Sequence, residues 1–167
     1  MKIVHHILAA LLIVSASCTH ESGQKAANEE TPVADSISPE ASPEITVLPY
    51  SVEYDEKTQN LNLIRSKDSP SDMDSEDIIR VINKKYPGLK LDLVARTADT
   101  ISVKIDDASK LTQEMGTAGA EAYLAELTYS FTEIKGIKAV KVDFEEGDHA
   151  MPGVYTRDDF KSLANSK

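Results

Sequence analysis

The sequence predicts an α+β fold: a single compact two-layer sandwich, a mostly antiparallel sheet with two main helices on one face, in the order β-β-α-β-β-α-β with a short C-terminal helix. Three observations predict it. Beyond Ile45, runs of alternating apolar and polar residues recur, as half-buried strands require. Two segments instead carry apolar residues at three-and-four spacing, the mark of an amphipathic helix. Clusters of Asp, Pro and Gly separate one segment from the next, and long strands beside two such helices make a layered α+β domain.

Taken in order, Leu48, Tyr50, Val52 and Tyr54 alternate with polar or small residues and form the first strand. Asp55 to Asn60 is turn-like, and Leu61 and Leu63 open the second strand. After the loop Asp68–Asp74, Asp74 or Ser75 caps a helix whose first turn holds Glu76 and Asp77, where carboxylates suit the helix dipole. That helix presents Ile78, Ile79 and Ile82 and stops before Pro87-Gly88. Leu89, Leu91, Leu93 and Ala95 share one face of a third strand. A turn at Thr97-Ala98-Asp99 leads to a fourth, with Ile101, Val103 and Ile105 inward. A polar bridge, Asp106 to Gly116, precedes the strongest helix, capped by Thr117 and ended by Gly136. Its stripe is Ala120, Tyr123, Leu124, Leu127, Phe131 and Ile134, with Tyr129 off it. Val140, Val142 and Phe144 make a fifth strand, and Thr156 caps a last helix ending near Leu163.

Composition bounds the function. The 167 residues fit one domain better than two. Eighteen Lys and Arg against 28 Asp and Glu give a net charge of −10, which excludes duplex nucleic acid as partner, because phosphate binding needs a cationic face. One cysteine excludes an internal disulfide and any CxxC site.

The first seventeen residues read as an address. Lys2 gives a positive start, Ile7–Val14 is a short apolar run, and Ser15-Ala16-Ser17 is a small-residue exit before Cys18. Eight apolar residues are too few for a bilayer span, which needs about 20. The arrangement resembles the bacterial lipoprotein signal, in which the cysteine becomes the acylated N-terminus; cleavage after Ser17 by a plain signal peptidase is the alternative. Acylation at Cys18 implies a membrane anchor through palmitate-type chains. Thr19 in place of an inner-membrane retention Asp favours the outer membrane in a two-membrane host. Residues 18–44 then form a disordered acidic tether: between Thr19 and Glu44 there are three prolines, four serines, six carboxylates and no aromatic. The globular domain is expected over 45–167. Loss of Lys2 with the signal leaves 17 basic against 28 acidic residues, −11, so the domain stands off anionic headgroups.

From about Ile45 to Gly153 the chain resembles the GerMN family of extracytoplasmic domains. The resemblance is carried by the strand hairpin and the helix closing on Tyr86-Pro87-Gly88, then by the hairpin containing Ile101 to Asp107. It continues through Met115-Gly116 and the helix Ala120–Ile134 running into Gly136 to Val142. Ala98-Asp99 replaces a glycine common in the family's hairpin turn, Glu145-Glu146-Gly147 lengthens the segment after the last strand, and only one copy is present. What the resemblance implies is a non-catalytic binding or assembly module of the cell envelope, and no catalytic residue.

No constellation of catalytic groups stands out. A serine triad needs a histidine base near its nucleophile, and after signal removal only His20 and His149 remain, with no Gly-x-Ser-x-Gly elbow. Asp68, Asp72, Asp74, Glu76 and Asp77 could offer oxygens to calcium but fail EF-hand spacing, and helix capping accounts for them. Two doublets, Asp106-Asp107 and Glu145-Glu146, cannot each supply facing carboxyls, because neighbours on a strand point apart; a pair drawn from both doublets can. No cofactor and no metal are expected. The preferred reading is a non-enzymatic, exported, lipid-anchored envelope protein engaging protein or peptidoglycan partners, with self-association open. The alternative is a small-ligand or glycan sensor in which Asp106, Asp107, Met115 and Gly116 on one loop and Glu145, Glu146 and His149 on another border a pocket. A hydrolase ranks third.

Overall fold

A computed structural model of the chain describes residues 44–164. The signal, Cys18 and all of the tether but its last residue, Glu44, lie outside the described residues, and the described ones belong to the compact unit Ala41–Lys167. The α+β class holds, with strands divided between two sheets.

The first sheet is a hairpin of β1 (Tyr50–Asp55) and β2 (Asn60–Arg65), antiparallel with Val52 opposite Leu63. Its turn closes as expected, with Asp55 accepting the Lys57 N–H at 2.8 Å and Gln59 in the left-handed region at φ 56°. Helix α1 (Ser75–Lys85) begins on a reciprocal cap: Asp74 accepts the N–H groups of Glu76 and Asp77, and the Asp77 carboxylate accepts the Asp74 N–H. It buries Ile78, Val81 and Ile82, leaving Ile79 at the margin. Lys84 near its end meets Glu44 at 2.8 Å.

The second sheet runs β3 (Leu91–Arg96), β4 (Thr100–Ile105), β5 (Ala139–Asp143) and β6 (Gly153–Thr156) in spatial order 3-4-5-6. The β3–β4 and β5–β6 pairs are antiparallel, and β4–β5 is parallel, with Ile101 opposite Val140 and Val103 opposite Val142. Strand β6 adds to the expected set; it follows Pro152 and precedes the Thr156 cap. The expected inward set of β4 and β5 is buried, but β3 leaves its pattern halfway. Leu91 opposes Ile105 and is buried; Leu93, still opposite Val103, is 40% exposed on this edge strand, and Ala95 is exposed opposite Ser102 because Val94 is an extra residue with no partner on β4. Such a bulge on an edge strand spoils it as a template for another chain.

Helix α2 (Gly116–Phe131) is the chain's crossover between the parallel strands β4 and β5. Its stripe of Ala120, Leu124, Leu127 and Phe131 is buried as expected. At about 100° per residue, Glu126 and Tyr129 lie on the opposite side, and there, with Glu133 just past the helix end, they meet the hairpin: Glu126 takes the Val52 N–H, Tyr129 stacks edge-on against Tyr50 at 5.2 Å, and Glu133 pairs with Arg65 at 2.8 Å. The helix is therefore buried all round from Tyr123 to Phe131, with the hairpin on one side and the four-stranded sheet on the other. Two boundaries differ from expectation. Thr117 does not cap α2, since no side chain caps it, and the helix ends at Phe131 rather than running to Gly136. Beyond Phe131 the N–H groups of Glu133 and Ile134 turn to the carbonyls three residues back, Ser130 and Phe131, at 3.3 and 3.1 Å, while the Thr132 hydroxyl bonds the Thr128 carbonyl at 2.8 Å; Gly136, at φ 91°, serves the turn after that.

The polar bridge after β4 contains a wide helical turn, Lys110–Glu114, that buries Leu111 and Thr112. At the other end, Thr156 donates its N–H to Asp159 at 2.7 Å and heads a 3₁₀ turn, Arg157–Phe160, continued by α3 (Lys161–Ala164). Arg157 ties the termini of the layers together: it donates to Glu133 and Thr132, both at 2.7 Å, and lies over the rings of Tyr129 and Tyr50 at 4.9 and 5.3 Å. Among the described residues no helix is long and apolar enough to cross a membrane.

Candidate functional site

A parallel strand pair sends both carboxyl ends out of the same edge of the sheet, and the crossover helix begins there too. Lys104, opposite Asp143, marks that edge. The loop after β4 (106–116), the loop after β5 (144–152) and the first turn of α2 consequently meet. In open α/β sheets this is where ligands bind.

The two loops are pinned together. The His149 N–H donates to the Thr112 carbonyl at 3.0 Å, and the Thr112 hydroxyl donates to the Ala108 carbonyl, also at 3.0 Å. Gly147 sits so close to Thr112 that a Cβ there would lie 2.6 Å from the Thr112 Cβ and 3.3 Å from its carbonyl oxygen. Only glycine permits that approach. The His149 ring completes the clasp, its Nδ1 3.2 Å from the Thr117 hydroxyl.

A hollow opens on each side of the clasp. The larger, about 530 Å³, has Leu124, Tyr155, Phe160, Ala150 and Met151 among its walls and Glu121, Glu146, Asp148, Thr117 and His149 around them. The smaller, about 250 Å³, is lined by Asp106, Asp107, Ser109, Thr112, Gln113, Glu145 and Glu146. Glu146 borders both, and neither hollow is lined by a Lys or Arg. The two acidic doublets thus share one depression, as a pair drawn from both would need. Asp106 is drawn below the ordinary carboxylate range by the hydrogen bond and charge of Lys104, 2.5 Å away. Asp107 is lowered by the hydroxyl and N–H of Ser109. Met115 and Gly116 line neither hollow: Met115 packs half-buried at the core margin beside Gly119, and Gly116 supplies the left-handed residue, φ 69°, that starts α2.

His149 meets a hydroxyl, and a triad would need a third group to orient it. Among the described residues no group of three or more His, Cys, Asp and Glu side chains is placed to hold a metal ion. Asp74 and Asp77, from the acidic cluster weighed for calcium, are engaged in the α1 cap, and Asp77 also holds Arg80 at 2.6 Å.

Sequence reasoning missed three features. Thr117 and Glu121, one helical turn apart on α2, face the larger hollow. A second hollow of about 530 Å³ lies between the α1 end and the β4 end, lined by Asn83, Tyr86, Leu89, Lys90 and both aspartates of the first doublet. Glu126, 1% exposed, accepts from Val52 N–H at 2.6 Å, Tyr86 hydroxyl at 2.7 Å and Lys85 Nζ at 2.7 and 2.8 Å. Burial, and then the adjacent Glu126 charge, push the Tyr86 phenol well above its ordinary range. A lone carboxylate inside an otherwise uncharged stretch, Ala122 to Thr132, was the available signal for Glu126. Comparison with protein families, with curated proteins and with solved structures finds no match to this chain.

Proposed function

We propose that this is a non-enzymatic, exported, lipid-anchored protein of the cell envelope, held by acylated Cys18, whose folded domain is a GerMN-like binding and assembly module for a protein or cell-wall partner. The observation that carries the binding part is the clasped pair of loops at the carboxyl ends of β4 and β5, rigid enough to present a fixed surface and hollowed on both sides. Loops positioned by a rigid scaffold are where proteins place their contacts. The anchor rests on the Lys2–Cys18 pattern, and the acidic balance speaks against nucleic acid. In a host with two membranes, the outer one is favoured.

A small-ligand or glycan sensor is the second reading, favoured by the volume of the larger hollow, about 530 Å³, within the range of about 300–1,000 Å³ typical of small-molecule sites.

In-cell crosslinking of the protein expressed with its own signal, with mass spectrometry of the recovered peptides and of the N-terminus, tests the reading. Crosslinks from the 106–116 or 144–152 loop to itself in a second copy or to one envelope protein, on an acylated Cys18, are expected. An unmodified N-terminus overturns the anchor. Crosslinks confined to other surfaces overturn the placement of the site, and none at all moves the weight to the sensor.

A further inference from the structure

The larger hollow is two-toned. Its apolar walls come from α2, β6 and the C-terminal turn, through Leu124, Tyr155 and Phe160. At its lip Met151 is 62% exposed. Three carboxylates, Glu121, Glu146 and Asp148, stand around these walls, none of them in a described salt bridge. Through Glu146 the same rim continues into the smaller hollow, where only Asp106 has a cation, Lys104.

Desolvating several carboxylates without a counter-charge is costly, so an anionic or neutral apolar occupant would bury them at a penalty. A cationic one is steered in by the summed field and leaves the rim paired. The occupant must also cover Met151 and the aromatic wall.

Resting on the reading of the domain as a binding module, we propose that the larger hollow, between the start of α2, the 144–152 loop and the C-terminal turn, docks a basic peptide segment of a partner protein, an apolar side chain entering between Leu124 and Met151 and flanking Lys or Arg side chains pairing with Glu146 and Asp148.

Calorimetric titration of the purified full chain tests this with three probes: acetyl-Lys-Phe-Lys-Phe-Lys-amide, its charge-reversed Glu counterpart, and a Lys-Gly counterpart without apolar side chains. Saturable binding of the first at one site is expected, with the other two at least ten-fold weaker. Glu146→Lys with Asp148→Lys should weaken the first peptide ten-fold or more, and Met151→Ser several-fold. All three positions are solvent-exposed, and circular dichroism together with the milder Glu146→Gln, Asp148→Asn pair guards against a folding artefact. Equal binding of the Lys-Gly peptide would reduce the groove to a merely acidic surface and overturn the proposal. So would undiminished binding by the variants, tighter binding of the Glu peptide, or no binding at millimolar peptide. If the cellular crosslinks fall on these loops while the Lys-Phe peptide fails, the chemistry assigned to the partner is wrong and the module stands. If the crosslinks fall elsewhere, the module reading fails independently of the peptide.

Discussion

Glu126 is the residue on which three elements depend. Its carboxylate satisfies the outward N–H of Val52 on β1, holds Lys85 at the end of α1, and fixes the Tyr86 hydroxyl. Truncating one partner of a buried pair costs about 3–5 kcal/mol, and Lys85, partly exposed, can turn to water, so the lower end applies. Glu126→Ala should lower unfolding free energy by about 3 kcal/mol in urea titrations, with Tyr86→Phe costing about 1 kcal/mol. Glu133 is one of the carboxylates that make the fold acid-sensitive. Burial raises its pKa, but hydrogen bonds and charge from Arg65 and Arg157 outweigh that and leave it below the unfolded value of 4.5. Its folded form therefore binds the proton less readily than the unfolded chain. The stability it contributes is complete above pH 4.5 and drains as pH falls through the folded value. Thermal melts from pH 7 down to 3 should show this loss, and Glu133→Gln should reduce it while lowering the plateau.

At the scale of elements, the loop clasp and the edge strand make separable predictions. Gly147→Ala places a methyl group against Thr112, so the 144–152 loop must shift; a loss of about 1–3 kcal/mol is expected, together with exchange broadening of the His149 and Thr112 amides. Gly116→Ala meets no neighbour and costs only the left-handed backbone, about 1–2 kcal/mol, leaving those amides sharp. Deleting Val94 removes the bulge and straightens β3. Sedimentation velocity should then show stronger self-association in the deletion variant than in the wild type at equal concentration. Strands are legible in the sequence wherever one face meets the core, as Ile101, Val103 and Ile105 do. Ala95 escapes that reading because an inserted residue, Val94, flips the alternation without changing composition. The end of α2 escapes it because Gly136 is a strong stop signal, whereas Thr132 bonding back to Thr128 leaves no pattern to read.

For the whole molecule, the α+β class and the order of its first seven elements are legible in advance, since each rests on local periodicity and punctuation. The pairing is not. Nothing in the spacing says that β4 and β5 run parallel, or that the β1–β2 hairpin leaves the main sheet to cover the far side of α2. That second fact hides the burial of Glu126 and Tyr129, which lie off the apolar stripe and would face solvent on a helix covered on one side only. The parallel pairing hides Thr117 and Glu121, although the two loops themselves, with Glu146 and His149, stand out through their acidic doublets. With α2 shared between both sheets, melting should be a single cooperative step, so far-ultraviolet and tyrosine near-ultraviolet signals should fall together.

The parallel pair also fixes an order of events. Thr100 cannot meet Ala139 until all of α2 between them has folded back across the sheet, whereas both hairpins close locally and early. The groove at the ends of β4 and β5 is therefore among the last surfaces the chain completes. A polypeptide emerging unfolded from an export channel would pass through its compact but unclasped stages without offering the acidic groove, and the capacity to engage a partner would arrive together with the finished fold.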